Sequence, residues 1–239
     1  MAEAVRVHRS DNLSTTLQNW GFVVPQSALV LVGGASGISE EGMVMLRSLF
    51  TDALAPLVQR FNIPVIDGGT DAGIMKLIGQ ARHFHGSTFP LIGVAAIGTV
   101  ILPGNSAPPP PDGAELEPNH THFLLVPGAL WGDEAPWIAR TASALATGMP
   151  SVTILVNGGK IAWQDVLNSV RANRPVIVIA GSGRTADELT AAIRGEFISE
   201  MAEEMVDSGL LQAIDLADGL DTITQTLMRL LSVPQSRVS

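Results

Sequence analysis

The chain has 239 residues, 46% hydrophobic and 15% charged, with a formal net charge of -9. That length suits one large α/β domain with a sizeable core, and the composition excludes disorder, which needs low hydrophobicity and high charge. Acidic residues outnumber basic ones by 23 to 14, so no broad footprint for nucleic acid or an anionic membrane exists. The lack of cysteine excludes disulfides, thiolate catalysis and cysteine–zinc sites.

The first ten residues, MAEAVRVHRS, carry charges and no apolar run, so they do not read as a signal peptide. The apolar stretch 89–102 is too short to span a bilayer. A cytoplasmic location is the expectation, without nucleic-acid or membrane partners.

In chain order one pattern recurs: a run rich in Val, Ile and Leu ends in glycines, and a helical stretch follows. The runs are 28–32 (ALVLV, then GGASG), 64–67 (PVID, then GGTDAG) and 91–97 (LIGVAAI, then GTVILPG). Next come 122–126 (HFLLV, then PGALWGDE), 151–156 (SVTILV, then NGGK) and 175–180 (PVIVIA, then GSGRTADE). A weaker seventh is 210–216 (LLQAIDL, then ADGLDT). Continuous apolar runs suit strands covered on both faces. Strands alternating with helices imply right-handed βαβ units. The expected fold is α/β, a Rossmann-like three-layer sandwich with a mostly parallel central sheet. It reads as a single domain over 1–239, its core over about 20–232.

Residues 40–60 read as a helix with Met43, Leu46, Leu49 and Phe50 at helical spacing, kinked or ended by Pro56. Further helices are expected at 135–147 and 162–172, with a solvated one at 198–208. Asp187 and Glu188 fall in the first turn of another, and the last spans 221–232 with Asp221 as its N-cap. The segment PGNSAPPPPDGAELEPNH (103–120) breaks the rhythm with four consecutive prolines. It reads as a flexible loop over about 103–118, either an exposed linker or a flap over the ligand edge.

Several familiar sites are excluded. VLVGGASGIS (30–39) resembles the glycine loop of short-chain dehydrogenases, but their catalytic tyrosine has no counterpart in a chain without tyrosine. Gly159-Lys160 is followed by Ile161, so no Walker loop exists, and neither His-Glu-x-x-His nor Gly-x-Ser-x-Gly occurs. His120 and His122, two apart, would share one side of a strand. They suit either a metal pair or hydrogen bonds to loop carbonyls, and His83 and His85 read the same way. No metal or obligatory cofactor is expected.

In parallel sheets ligands bind beyond the carboxyl ends of the strands. With only Lys76 and Lys160 as lysines, an anion would be held by backbone N–H groups, helix N-termini and chosen arginines. Gly68, Gly69 and Gly73 permit a tight turn and close approach of a phosphate, and Thr70 adds a hydroxyl. Gly181, Ser182 and Gly183 precede Arg184, whose fork suits a phosphate; the alternative is a surface pair with Asp187. Gly33, Gly34, Ser36 and Gly37 form a third cluster, and Gly158, Gly159 and Lys160 a fourth. Asp133 and Glu134 suit either ribose hydroxyls or capping of the helix after them. Trp131 is placed to stack on a base.

Taken in order, DGGTDAGIMKLIG (67–79), LEPNHTHFLLV (116–126), VTILVNGGK (152–160) and VIVIAGSGRTADEL (176–189) resemble the N-terminal SLOG-type (LSDAT) domain of melastatin-type TRP channels and its stand-alone prokaryotic relatives. The likeness covers about 20–230. It implies binding of a nucleotide derivative, ADP-ribose or a related NAD-derived molecule, in a domain that channels use as a sensor. SLOG proteins also include phosphoribohydrolases with the motif PGGxGTxxE. Here 127–134 reads PGALWGDE, with Ala129 for the second glycine and Asp133 for the threonine. Three functions stay open: a ligand sensor without chemistry, a hydrolase of a nucleotide N-glycosidic bond using Glu134 or Asp133, and an assembly protein that lost its site. A homodimer or other homo-oligomer is the default.

Overall fold

The computed structural model describes residues 2–102, 104 and 109–231. Its centre is an eight-stranded sheet: β1 (Glu3–Arg6), β2 (Ala28–Gly33), β3 (Val65–Asp67), β4 (Leu91–Ala96), β7 (His122–Val126), β8 (Ser151–Val156), β9 (Val176–Ala180) and β10 (Leu211–Asp215). Every pairing in it is parallel, in the order β1-β7-β4-β3-β2-β8-β9-β10. All seven expected strands are present. From β2 the chain builds outward through β3 and β4, then returns to place β8 on the other side. This reversal leaves a crevice at the carboxyl ends of β2 and β8.

Strand residues alternate between two cores, as the pleat requires. Leu29 and Leu31 of β2 and Ile177 and Ile179 of β9 face one; Val30, Val32, Val176 and Val178 face the other. The first is covered by α2 (Glu40–Ser48), α3 (Ala55–Phe61), α4 (Gly73–Phe84) and α9 (Leu220–Leu230). The second is covered by α1 (Leu13–Asn19), α5 (Ala135–Ala146), α6 (Lys160–Arg171), α7 (Arg184–Ile193) and α8 (Glu200–Asp207). Among the described residues no helix is long and apolar enough to cross a membrane.

Several expectations need correction. The core does not begin near residue 20: β1 pairs with β7, and α1 follows it, capped by Asn12, whose side chain accepts from Thr15 N–H at 3.2 Å. The 40–60 helix does not end at Pro56 but is not uniformly α-helical. A π-helical turn at Leu49–Leu54 joins α2 to α3. Pro56 in the first turn of α3 cannot donate to the preceding turn, and the wider π turn absorbs that while Leu49 and Phe50 stay buried. α8 is not wholly solvated, since Ala202 and Met205 enter the core. Asp221 lies inside the first turn of α9, whose N-cap is Gly219.

The proline-rich segment lies partly outside the described residues. Its end is ordered: β6 (Ala114–Glu115) pairs with β5 (Val100–Ile101), and Leu116 bridges to Thr70. This brings 114–117 against the Gly68–Thr70 loop.

Candidate functional site

A cleft of about 350 Å³ opens at the crevice between β2 and β8. Of the expected residues, Gly33, Gly34, Ser36, Gly68, Thr70, Glu134, Gly158, Gly159, Lys160 and Arg184 line it, and Trp131 stands at its side. Segments from five separate stretches of chain therefore converge. A shallower depression of about 530 Å³ lies between α1, α5 and α6, away from every glycine loop. We take the smaller cleft as the site because the fold's ligand edge and the phosphate-type loops coincide there.

The glycines have distinct jobs. Gly33 has φ +126°, and a Cβ there would fall 1.9 Å from the Val156 carbonyl oxygen of the adjacent strand. Gly158 has φ +93° and lies against Ala162. Gly69 and Gly73 do not line the cleft. A Cβ on Gly69 would lie 2.7 Å from Gly93 Cα, and one on Gly73 would lie 3.3 Å from Gly34 Cα, so they let loops and strands approach. Gly37, Gly181 and Gly183 also stand outside the lining.

Ser182 does not face the cleft either. Its buried hydroxyl donates to Ile179 O at 2.5 Å and accepts from Asn157 N–H at 2.7 Å. The Asn157 side chain donates to Ser182 O at 2.8 Å and Ser36 O at 3.3 Å, tying three loops together. Asp187 accepts from Gly181 N–H at 2.7 Å, so it serves the loop instead of Arg184. Arg184 has φ +53°, uncommon for a side chain of this size. Its guanidinium lies over Gly159, where a Cβ would be 2.9 Å from a guanidinium nitrogen. Among the described residues neither Arg184 nor Lys160 joins an ion pair.

Helix ends sharpen the electrostatics. Side chains cap α1, α2 and α8, whereas among the described residues none caps the first N–H groups of α4, α6 and α7. α6 opens with Lys160 and has no acidic residue in its first turn. Its positive end is thus free for an anion.

Glu134 is buried in the cleft wall, and both its oxygens accept from Gly132 N–H at 3.0 Å. Burial pushes its carboxyl above the usual range, and the Asp133 charge adds to this. Asp133 is absent from the cleft. It accepts from Leu130 and Ala129 N–H at 3.0 and 2.8 Å, which lowers its pKa and holds the PGALWGDE turn.

Sequence reasoning missed two features. Asp165 shares the buried face of α6 with Ala162, Val166 and Ser169 and lines the cleft. Burial, reinforced by the Glu134 charge, pushes its carboxyl up to about 7. An acid at a core position of an otherwise apolar stripe was the available signal.

The second is a buried cluster under the Gly68–Thr70 loop. His120 contacts Asp67 at 2.9 Å through Nε2 and Glu117 at 2.8 Å through Nδ1. Asp67 also accepts from Gly69 N–H at 2.7 Å. Gly79 leaves the space for the Glu117 carboxylate, and Glu117 also accepts from Asn119. Burial opposes the imidazolium, but the two carboxylates overcome it and raise His120 to about 9. His122 instead lies against Trp20 and Phe22, with ring centroids 5.0 Å away, so the two histidines do not form a metal pair. His85, at the C-terminal end of α4, meets Thr51 O of the π turn at 2.7 Å.

Comparison with known proteins agrees with this architecture. The family model described as SLOG in TRPM, prokaryote, matches residues 26–225. The mouse transient receptor potential cation channel subfamily M member 2 is 26% identical over 247 residues, covering 87% of this chain and 16% of the channel. The Nematostella vectensis member-like 2 protein is 26% identical over 85% of this chain and 15% of its own length. Rat subfamily M member 4 is 27% identical over 75% and 18% respectively. The chain thus spans under a fifth of these relatives. With most of its length matched by the family model, the chain belongs to the prokaryotic SLOG-in-TRPM family.

Proposed function

We propose that the chain binds a nucleotide-derived ligand of the ADP-ribose type, as a sensor module. The observation that carries this reading is the convergence of Lys160, Arg184 and the uncapped start of α6 on one cleft with three glycine turns. A diphosphate would lie against Gly33–Gly34 and Gly158–Gly159, with Arg184 as a fork over it. Trp131, 41% exposed, offers a face for a base. Family membership supports a nucleotide-related role.

A second reading is hydrolysis of a nucleotide N-glycosidic bond. One observation favours it: Glu134 and Asp165 place two buried carboxyls with raised pKa values in the same cleft. Such groups can move a proton near neutral pH.

A thermal-shift panel of ADP-ribose, cyclic ADP-ribose, NAD, AMP and ATP, followed by chromatography, separates the two. A ligand at about a hundred times its Kd adds about 2.7 kcal/mol and raises Tm by several degrees. A shift with intact ligand fits the sensor, and released base or sugar phosphate makes the protein an enzyme. No shift with any of the five sinks the ADP-ribose reading. Arg184→Ala is expected to weaken ADP-ribose by about 1.5–3 kcal/mol, measured by calorimetry. An unchanged Kd removes Arg184 from the site.

A further inference from the structure

We propose that Glu134 and Asp165 form the sugar-recognition element of the cleft, binding ribose hydroxyls, so that ligand capture takes up a proton at Asp165. This rests on the nucleotide reading above and goes beyond it by assigning Asp165 and a pH response.

Asp165 is only 9% exposed, yet among the described residues one of its carboxyl oxygens has no hydrogen-bond partner. Buried polar atoms are ordinarily paired, so an unpartnered carboxyl oxygen on a residue that lines the cleft points to Asp165 as a group that meets the ligand. Asp165 is not balanced by a cation either: no ion pair among the described residues involves it, Glu134, Lys160 or Arg184.

The chemistry of the pair suits neighbouring hydroxyls. An ionised carboxylate only accepts, whereas a protonated carboxyl also donates. A ribose diol offers two donors and two acceptors. Glu134, held by Gly132 N–H, is placed to accept, and Asp165 can donate through one oxygen and accept through the other. The cations Lys160 and Arg184 stand in the same lining beside the glycine turns, which leaves the phosphate and sugar ends of the ligand separate partners.

The titratable groups lining the cleft around Asp165 are Glu134 at the start of α5, Lys160 on its own helix and Arg184 on α7. β2, the Gly68–Thr70 loop and Met75 of α4 contribute none to the lining. A ligand that covers Asp165 removes its remaining water and favours the neutral form further. Affinity is therefore full below about pH 7 and falls by up to about tenfold per pH unit above it, until the pKa in the complex is passed.

The test is calorimetry with ADP-ribose from about pH 6 to about pH 9, in two buffers of different ionisation heat. This probe has no group that titrates in that range, so proton uptake reports the protein. Wild type is expected to take up a fraction of a proton near pH 8 and to lose affinity as pH rises. Asp165→Asn keeps the shape and a donor. It should bind within about threefold of wild type at pH 6, with a flat profile. Asp165→Ala should bind about tenfold more weakly at pH 6, and its melting curve checks that it folds. Binding without proton uptake overturns this inference and leaves the nucleotide reading standing. Tighter binding by Asp165→Ala does the same, because it would show the carboxylate merely repelling phosphate. If ADP-ribose does not bind at any pH, both readings fall.

Discussion

Replacing His120 with alanine is expected to destabilise the protein by about 3–5 kcal/mol, lowering Tm on the order of 10 °C. The imidazole bridges the Asp67 and Glu117 carboxylates, and all three side chains are essentially without solvent. Removing it leaves two buried carboxylates without a counter-charge between them. Among the described residues Asp67 already has one oxygen with no partner. Arg82 feels the Glu117 charge, but its hydrogen bonds go to Phe89 O and Asn119 O.

The same cluster gives a pH dependence whose sign is fixed. The folded pKa of His120, about 9, lies above its ordinary 6.5. Its contribution is therefore complete below about pH 6.5 and is lost as pH rises through about 9. A difference of that size is worth about 3 kcal/mol. Denaturant titrations at about pH 6 and about pH 9.5 should show this loss in wild type and not in His120→Ala. A variant within about 1 kcal/mol of wild type at pH 6 would mean the ion cluster carries no stability. Because Asp67 also holds Gly69, and Glu117 N–H donates to Gly69 O at 2.9 Å, the variant should bind nucleotide more weakly as well.

Gly33→Ala is expected to cost about 3–5 kcal/mol, enough to lower soluble yield. Two effects add. The backbone at φ +126° disfavours any side chain, and the new methyl would overlap the Val156 carbonyl, which is rigid main chain in the neighbouring strand. Gly34 N–H donates to that same oxygen at 3.0 Å, so relief requires β2 and β8 to part at the cleft. Gly37→Ala is the control: φ is +73°, but nothing lies within 4 Å of its Cβ position, and about 1 kcal/mol is expected. Equal losses in the two variants, read by chemical denaturation, would show that backbone conformation alone sets the cost and that contact with β8 is irrelevant.

The sequence by itself determined the strand–helix alternation, the parallel sheet and the edge at which the glycine turns gather. These are written in local pattern: a continuous apolar run such as ALVLV (28–32) that ends in glycines needs no knowledge of the rest of the chain. It also singled out Arg184 and Lys160, because a glycine loop before a cation is a local pattern. What it could not separate was glycines that open on the cleft from glycines that pack. Gly34 lines it while Gly73 presses against Gly34, and that depends on which loop lands beside which.

β1 was missed because EAVR is short and half polar, and only pairing with β7 makes it a strand. The pairing of Asp165 with Glu134 and the Asp67–Glu117–His120 cluster belong to the tertiary structure. An acid in the buried stripe of α6 was a local sign for Asp165, but nothing local joins it to Glu134, and 53 residues separate Asp67 from its histidine. Their pKa values arise from desolvation and from charges delivered by other elements, and both exist only once the chain is folded.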